Sequence, residues 1–90
     1  MKTIYKYQIE TADVQTIEMP AGAKILCLQK QKGKPCIWVQ CKHDNPLVKH
    51  IITTYGTGHE MRPGNENYIG TYQLDNGAFV FHVYEQIAID

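Results

Sequence analysis

The chain contains no serine, so catalysis by a serine nucleophile is excluded outright. It also has no net charge: nine Lys and Arg offset nine Asp and Glu, with four His apart. That balance denies the protein the overall field that draws nucleic acid or an anionic membrane, leaving room only for a local basic patch. No apolar run approaches the ~18 to 20 residues of a helical membrane span, and the opening MKTIYKYQIE lacks the apolar core of a signal peptide. The expected location is intracellular. The three cysteines, Cys27, Cys36 and Cys41, are odd in number and form no Cys-x-x-Cys pair. This argues against a disulfide framework and against a zinc site, and predicts buried reduced thiols. Repeats, low-complexity tracts and any ten-residue helical period are lacking too.

What is present is strand pattern. Ninety residues bound a single domain, 1–90. The strongest local signal is Tyr68 to Glu85, YIGTYQLDNGAFVFHVYE, read as a hairpin turning at Asn76-Gly77, because a two-residue type I′ turn needs the positive φ that Asn tolerates and Gly adopts freely. The turn sets the pairs Leu74 with Phe79, Gln73 with Val80, Tyr72 with Phe81, Thr71 with His82 and Gly70 with Val83. Side chains alternate across a strand, so Gly70, Tyr72, Leu74, Phe79, Phe81 and Val83 form a core face. Ile69, Thr71, Gln73, Val80, His82 and Tyr84 form a mixed face, too apolar for full exposure.

Earlier in the chain, residues 3–9 and 14–19 alternate with period two, with Tyr5, Tyr7 and Ile9 sharing one side and Gln15, Ile17 and Met19 another. Residues 24–31 and 35–42 form a second hairpin. With Gly33-Lys34 as its central pair, Leu28 faces Val39, Leu26 faces Cys41 and Lys30 faces Ile37; Trp38 falls on the opposite face with Cys27, Gln29 and Cys36. LVKHIITTY, residues 47–55, is rich in β-branched strand formers. It is followed by a non-periodic stretch, and residues 86–90 extend the last strand or fray. Six or seven short strands predict an all-β fold: a small antiparallel β-sandwich or partly open barrel with little or no helix.

Only one segment looks like a site. In Tyr55-Gly56-Thr57-Gly58-His59 two glycines would let backbone N–H groups approach an anion, with Thr57, His59 and Arg62 supplying further donors. It lacks the glycine spacing and lysine of a P-loop, and glycine as chain punctuation accounts for the same residues without a ligand. His43, His50, His59 and His82 show no metal-ligand spacing, so neither a metal nor a cofactor is expected. His82, opposite Thr71, reads as a hydrogen-bonded or partner-facing imidazole, and Trp38 on a second face as edge cover or a binding residue. Six Tyr and one Trp among lysines invite a nucleic-acid reading, but neutrality and the absence of a basic run weigh against that partner.

The blocks QTIEMPAGAKIL, PCIWVQ, YGTGHEM and YIGTY followed by FVFHVYE resemble a family of small proteins of unknown function found in phage and prophage genomes. The chain departs from the family pattern after His59, where Glu60, Met61 and Arg62 precede Pro63. The resemblance implies a phage accessory protein made in the cytoplasm of an infected bacterium, and carries no catalytic residue over. The expected function is a non-enzymatic binding protein that inhibits a bacterial anti-phage defence by occupying a host protein or sequestering a nucleotide signal. Its surface would combine Gly56, Thr57, Gly58, His59 and Arg62 with His82, Tyr84 and Trp38, with self-association through the mixed face as a further expectation. The alternatives are a small nucleotide- or cyclic-nucleotide-processing enzyme using His59 or His82 as acid or base, and a minor virion structural or assembly protein.

Overall fold

A computed structural model describes residues 1–87. Seven strands follow one another: β1 (Lys2–Gln8), β2 (Val14–Pro20), β3 (Lys24–Gln31), β4 (Lys34–Lys42), β5 (Leu47–Gly56), β6 (Glu66–Leu74) and β7 (Phe79–Gln86). They form two antiparallel sheets, a three-stranded one in the order β1-β4-β3 and a four-stranded one in the order β2-β5-β7-β6. Among the described residues no barrel closes, and the arrangement is a small β-sandwich, as the alternation predicts. Of the expected C-terminal extension, Gln86 ends β7 and residues 88–90 lie outside the described residues.

The chain crosses between the sheets at three corners, after β1, β2 and β4. Two of these corners are tied together: Ala21 donates its N–H to the Pro46 carbonyl at 2.8 Å, and the Asn45 side-chain amide donates to the Ala21 carbonyl at 2.9 Å. The inward sides of both sheets supply the core, with Ile9, Met19, Ile37, Val39, Ile52 and Val83 almost wholly excluded from solvent. Each such side chain contributes roughly 1.5–3 kcal/mol of burial. Tyr72 completes the core and satisfies its hydroxyl with Thr11 at 2.7 Å. The sheets approach most closely where β3 crosses β6. A Cβ built on Gly70 would stand 3.0 Å from the Leu28 Cβ, so the glycine is what lets the two backbones come together.

The last hairpin has the expected register from Gly70–Val83 to Leu74–Phe79. Its turn is wider than two residues, with Asp75, Asn76 and Gly77 all at positive φ and N–H bonds from Gly77 to Leu74 and from Ala78 to Asp75. Phe79, expected in the core, is 54% exposed, because it sits at the hairpin tip beyond the reach of the opposite sheet. The second hairpin corrects the sequence reading. Its turn is Lys32-Gly33, both at positive φ, and Leu28 pairs with Ile37, not Val39. The shift is two residues, so the faces of β4 are unchanged. A bulge at Leu26 then sets Ile25 opposite Val39, turning Ile25 towards the core and leaving Leu26 43% exposed. A second bulge at Ile69 does the same on β6: Tyr68 takes the outer position opposite Tyr84, and Ile69 packs on the core.

Candidate functional site

The outward side of the four-stranded sheet is where the glycine-rich segment and the last hairpin meet. β5 ends at Gly56, after which the Thr57 N–H still bonds the Val80 carbonyl at 3.2 Å, while the His59 N–H closes a turn on Gly56 at 3.0 Å. Positive φ at Gly58 makes that turn possible. Thr57 is thereby set beside β7, and its hydroxyl lies 2.7 Å from Nε2 of His82. On the other side, the Thr71 hydroxyl lies 2.9 Å from Nδ1 of the same ring and is itself bonded to the Tyr68 hydroxyl. His82 is thus clamped between two threonines on different elements. Both ring nitrogens are occupied, which fixes the ring's orientation.

Around this clamp stand three tyrosines. Tyr55 is the register partner of His82 and meets Tyr84 edge to face at 5.8 Å, and Tyr84 meets Tyr68 in the same manner at 5.4 Å, the geometry favoured by the ring quadrupole. Tyr68 remains 57% exposed, whereas Tyr55 is only 5% exposed although it too lies on the outward face. The cause is the loop between β5 and β6, which folds back across it. The Arg62 guanidinium sits 4.9 Å above the Tyr55 ring and donates to the Asp13 carbonyl at 2.9 Å, a cation–π contact reinforced by a hydrogen bond. At the end of the loop the Glu66 carboxylate accepts from the Tyr55 hydroxyl at 2.9 Å and from the hydroxyl of fully buried Thr53.

Of the residues singled out by sequence, Thr57, His82, Tyr84 and Arg62 come together here. Gly56 and Gly58 serve as backbone of the bend. His59 goes elsewhere. Gly56 pairs with Phe81, whose side chain faces the core side, and a Cβ on Gly56 would lie 2.8 Å from the His59 ring. His59 therefore packs on the Phe81 side of the sheet, opposite His82. Trp38 is more distant still, on the outward face of the other sheet opposite Cys27 and Lys6. Tyr68 and Thr53 carry no site signal in the sequence. Glu66 reads as a loop acid until β6 is seen to begin there, and no linear signal couples it to Thr53.

A second polar cluster lies at the end of the core. His50 Nδ1 is 2.8 Å from Glu85 Oε2, both side chains mostly buried, and His50 Nε2 is buried with no partner. A shallow hollow bounded by Val48, Asn67 and Ile87 opens beside it. Cys36 and Cys41 are buried free thiols and Cys27 is partly covered; among the described residues no thiol is hydrogen-bonded to a histidine, the contact that would activate it as a nucleophile.

These features define a class: a small antiparallel β-sandwich bearing a clamped histidine in a tyrosine-rich outer face. The chain belongs to the family described as Domain of unknown function (DUF7352), whose model matches residues 1–89. Comparison with curated proteins and with solved structures found no match.

Proposed function

We propose that this is a non-enzymatic binding protein, a phage accessory factor that inhibits a bacterial anti-phage defence system in the host cytoplasm by occupying the surface of a host protein. The working surface is the outward face built from Thr57, Tyr68, Thr71, His82 and Tyr84, with Arg62 at its margin. The observation that carries the reading is the pair of hydrogen bonds from His82 to Thr57 and Thr71, which hold the centre of an exposed aromatic patch rigid. Pre-organised tyrosines of this kind suit protein recognition, since they offer large contact area with few rotatable bonds. A protein partner fits better than a small nucleotide, because the face is a sheet surface and not the enclosed concave site that small ligands favour. The phage setting rests on the sequence blocks that resemble the prophage family.

The test is rescue of phage growth. Bacterial strains each carrying one defence system are challenged with a sensitive phage while expressing this protein or its Tyr68→Ala/Tyr84→Ala variant. Rescue of plating by the parent and its loss in the variant, with unchanged circular dichroism, is expected. Equal rescue by both proteins would refute the assignment of this face.

A further inference from the structure

The neutral total of charges conceals a sharp separation. Lys2 and Lys6 lie on β1, Lys24 and Lys30 on β3, and Lys34 and Lys42 on β4, with Lys32 in the turn between β3 and β4. Seven of the nine basic residues therefore belong to the three-stranded sheet, whose strands contain no Asp or Glu. Among the described residues the carboxylates sit in the four-stranded sheet and the connecting loops, the nearest in sequence being Glu10 after β1 and Asp44 in the turn after β4. Among the described residues none of these lysines pairs with a carboxylate.

Register sorts the lysines further. Lys6 is opposite Trp38, which is opposite Cys27; Ile4 is opposite Gln40, which is opposite Lys24; and Lys2 is opposite Lys42. Ile37 and Val39 face the core, so this whole set points outward. At one end Lys2, Lys24 and Lys42 line a hollow together with Gln40 and Asn45. At the centre half-buried Trp38 borders a shallow depression with Cys27 and Gln29. Beside it the Lys6 ammonium donates to Gln31 at 2.6 Å across β4, and the Cys36 thiol, on the same outward side, is buried.

We infer that the outward face of the three-stranded sheet binds single-stranded nucleic acid, with Trp38 stacking on a base and Lys2, Lys6, Lys24 and Lys42 neutralising phosphates. The pairing of a cationic surface with a central aromatic ring is what unpaired strands require: cations follow the backbone, and any exposed base presents a π-face. A duplex hides its bases and would leave Trp38 without a role, and an acidic protein would answer the lysines but not the ring. Amides from Gln8, Gln29 and Gln40 on the same face add sequence-tolerant hydrogen bonds. This surface lies on the opposite sheet from the tyrosine face, so either assignment stands or falls without the other.

Trp38 is the only tryptophan and reports on its own site. The intact protein is titrated with oligo(dT) of ~12 nucleotides at low salt, following tryptophan fluorescence, and in parallel with a fluorescein-labelled oligonucleotide by anisotropy. Expected are quenching on binding and, for about four neutralised phosphates, a roughly 50-fold loss of affinity between 50 and 200 mM salt. K24E/K42E on exposed positions should weaken binding more than tenfold and flatten the salt slope by about 1.4. Trp38→Ala should lose about tenfold or more, and Trp38→Phe, which keeps a ring and the packing, should lose less. No binding, binding without quenching, or affinity indifferent to both the lysine and the Trp38 substitutions would overturn the inference. Binding to heparin but not to oligo(dT) would overturn it as well, marking a face for acidic proteins.

Discussion

Removing the Glu66 carboxylate tests whether the β5–β6 loop is anchored or merely lies on the sheet. In the native fold that carboxylate takes hydrogen bonds from Thr53, which is 0% exposed, and from Tyr55, which is 5% exposed. Glu66→Ala leaves two hydroxyls without partners in a place the loop shields from water, each costing about 1–3 kcal/mol. Against this stands the relief of desolvating and ordering a glutamate, so the net expectation is about 2–4 kcal/mol. A domain of 90 residues has roughly 5–13 kcal/mol in hand, which makes the loss at least about a seventh of the total and a fall in Tm of about 8–32 °C. Glu66→Gln keeps an acceptor and should lose about 1–1.5 kcal/mol. Urea unfolding followed by far-UV circular dichroism gives the numbers, with Thr53→Val completing a double-mutant cycle whose coupling should exceed ~1 kcal/mol. A cost for Glu66→Ala below ~0.5 kcal/mol, or additivity in the cycle, would refute the claim that these bonds hold the loop over Tyr55.

Two further outcomes follow from the core. Burial holds the phenol of Tyr72 above its ordinary 10.0, with the Thr11 bond acting the other way, and burial, then Cys41 and Tyr5, raise Tyr7. A raised folded value means the unfolded chain ionises first, so stability is whole below about pH 10 and declines above it; urea midpoints should fall there, less steeply in Tyr72→Phe, and a flat profile to pH 11 would contradict the burial argument. Gly70→Ala brings a methyl to 3.0 Å from the Leu28 Cβ and should cost about 1–3 kcal/mol by overpacking, measured by thermal unfolding; an unchanged Tm would mean that β3 and β6 do not approach there.

The fold was largely legible because alternation survives averaging over long contacts. Strand boundaries follow the turn residues, and the register of the last hairpin from Gly70 to Leu74 follows from Asn76-Gly77 alone, even though the turn takes one more positive-φ residue than expected. The errors are local in origin. Lys32 at positive φ moved the second turn by one position and the pairing by two, since a lysine carries no signal for that conformation. The bulges at Leu26 and Ile69 are invisible to a period-two reading, because each inserts one residue between otherwise regular runs and reverses the faces on one side only. The site was half legible. Thr71 opposite His82 comes directly from register, and Thr57 joins them because Gly56 and Gly58 bend the chain back along β7. His59, adjacent in sequence, is carried to the other side of the sheet by the same bend.

Charge shows most clearly what composition alone conceals. A zero sum is compatible with an even mixture, whose field cancels within a Debye length of about 10 Å, and with two opposed faces, whose fields do not cancel at either surface. The order β1-β4-β3 decides between them, because it gathers strands drawn from both ends of the first 42 residues into one sheet and leaves the acidic connections with the other. On that sheet the inward positions are filled by Ile37, Val39 and Ile25, so the strand lysines are driven to the outside or to the strand ends. Trp38 shares that outward face by the same alternation. The lysines and the ring are therefore neighbours as a consequence of burying the other half of each strand, and a partner that meets one of them meets both.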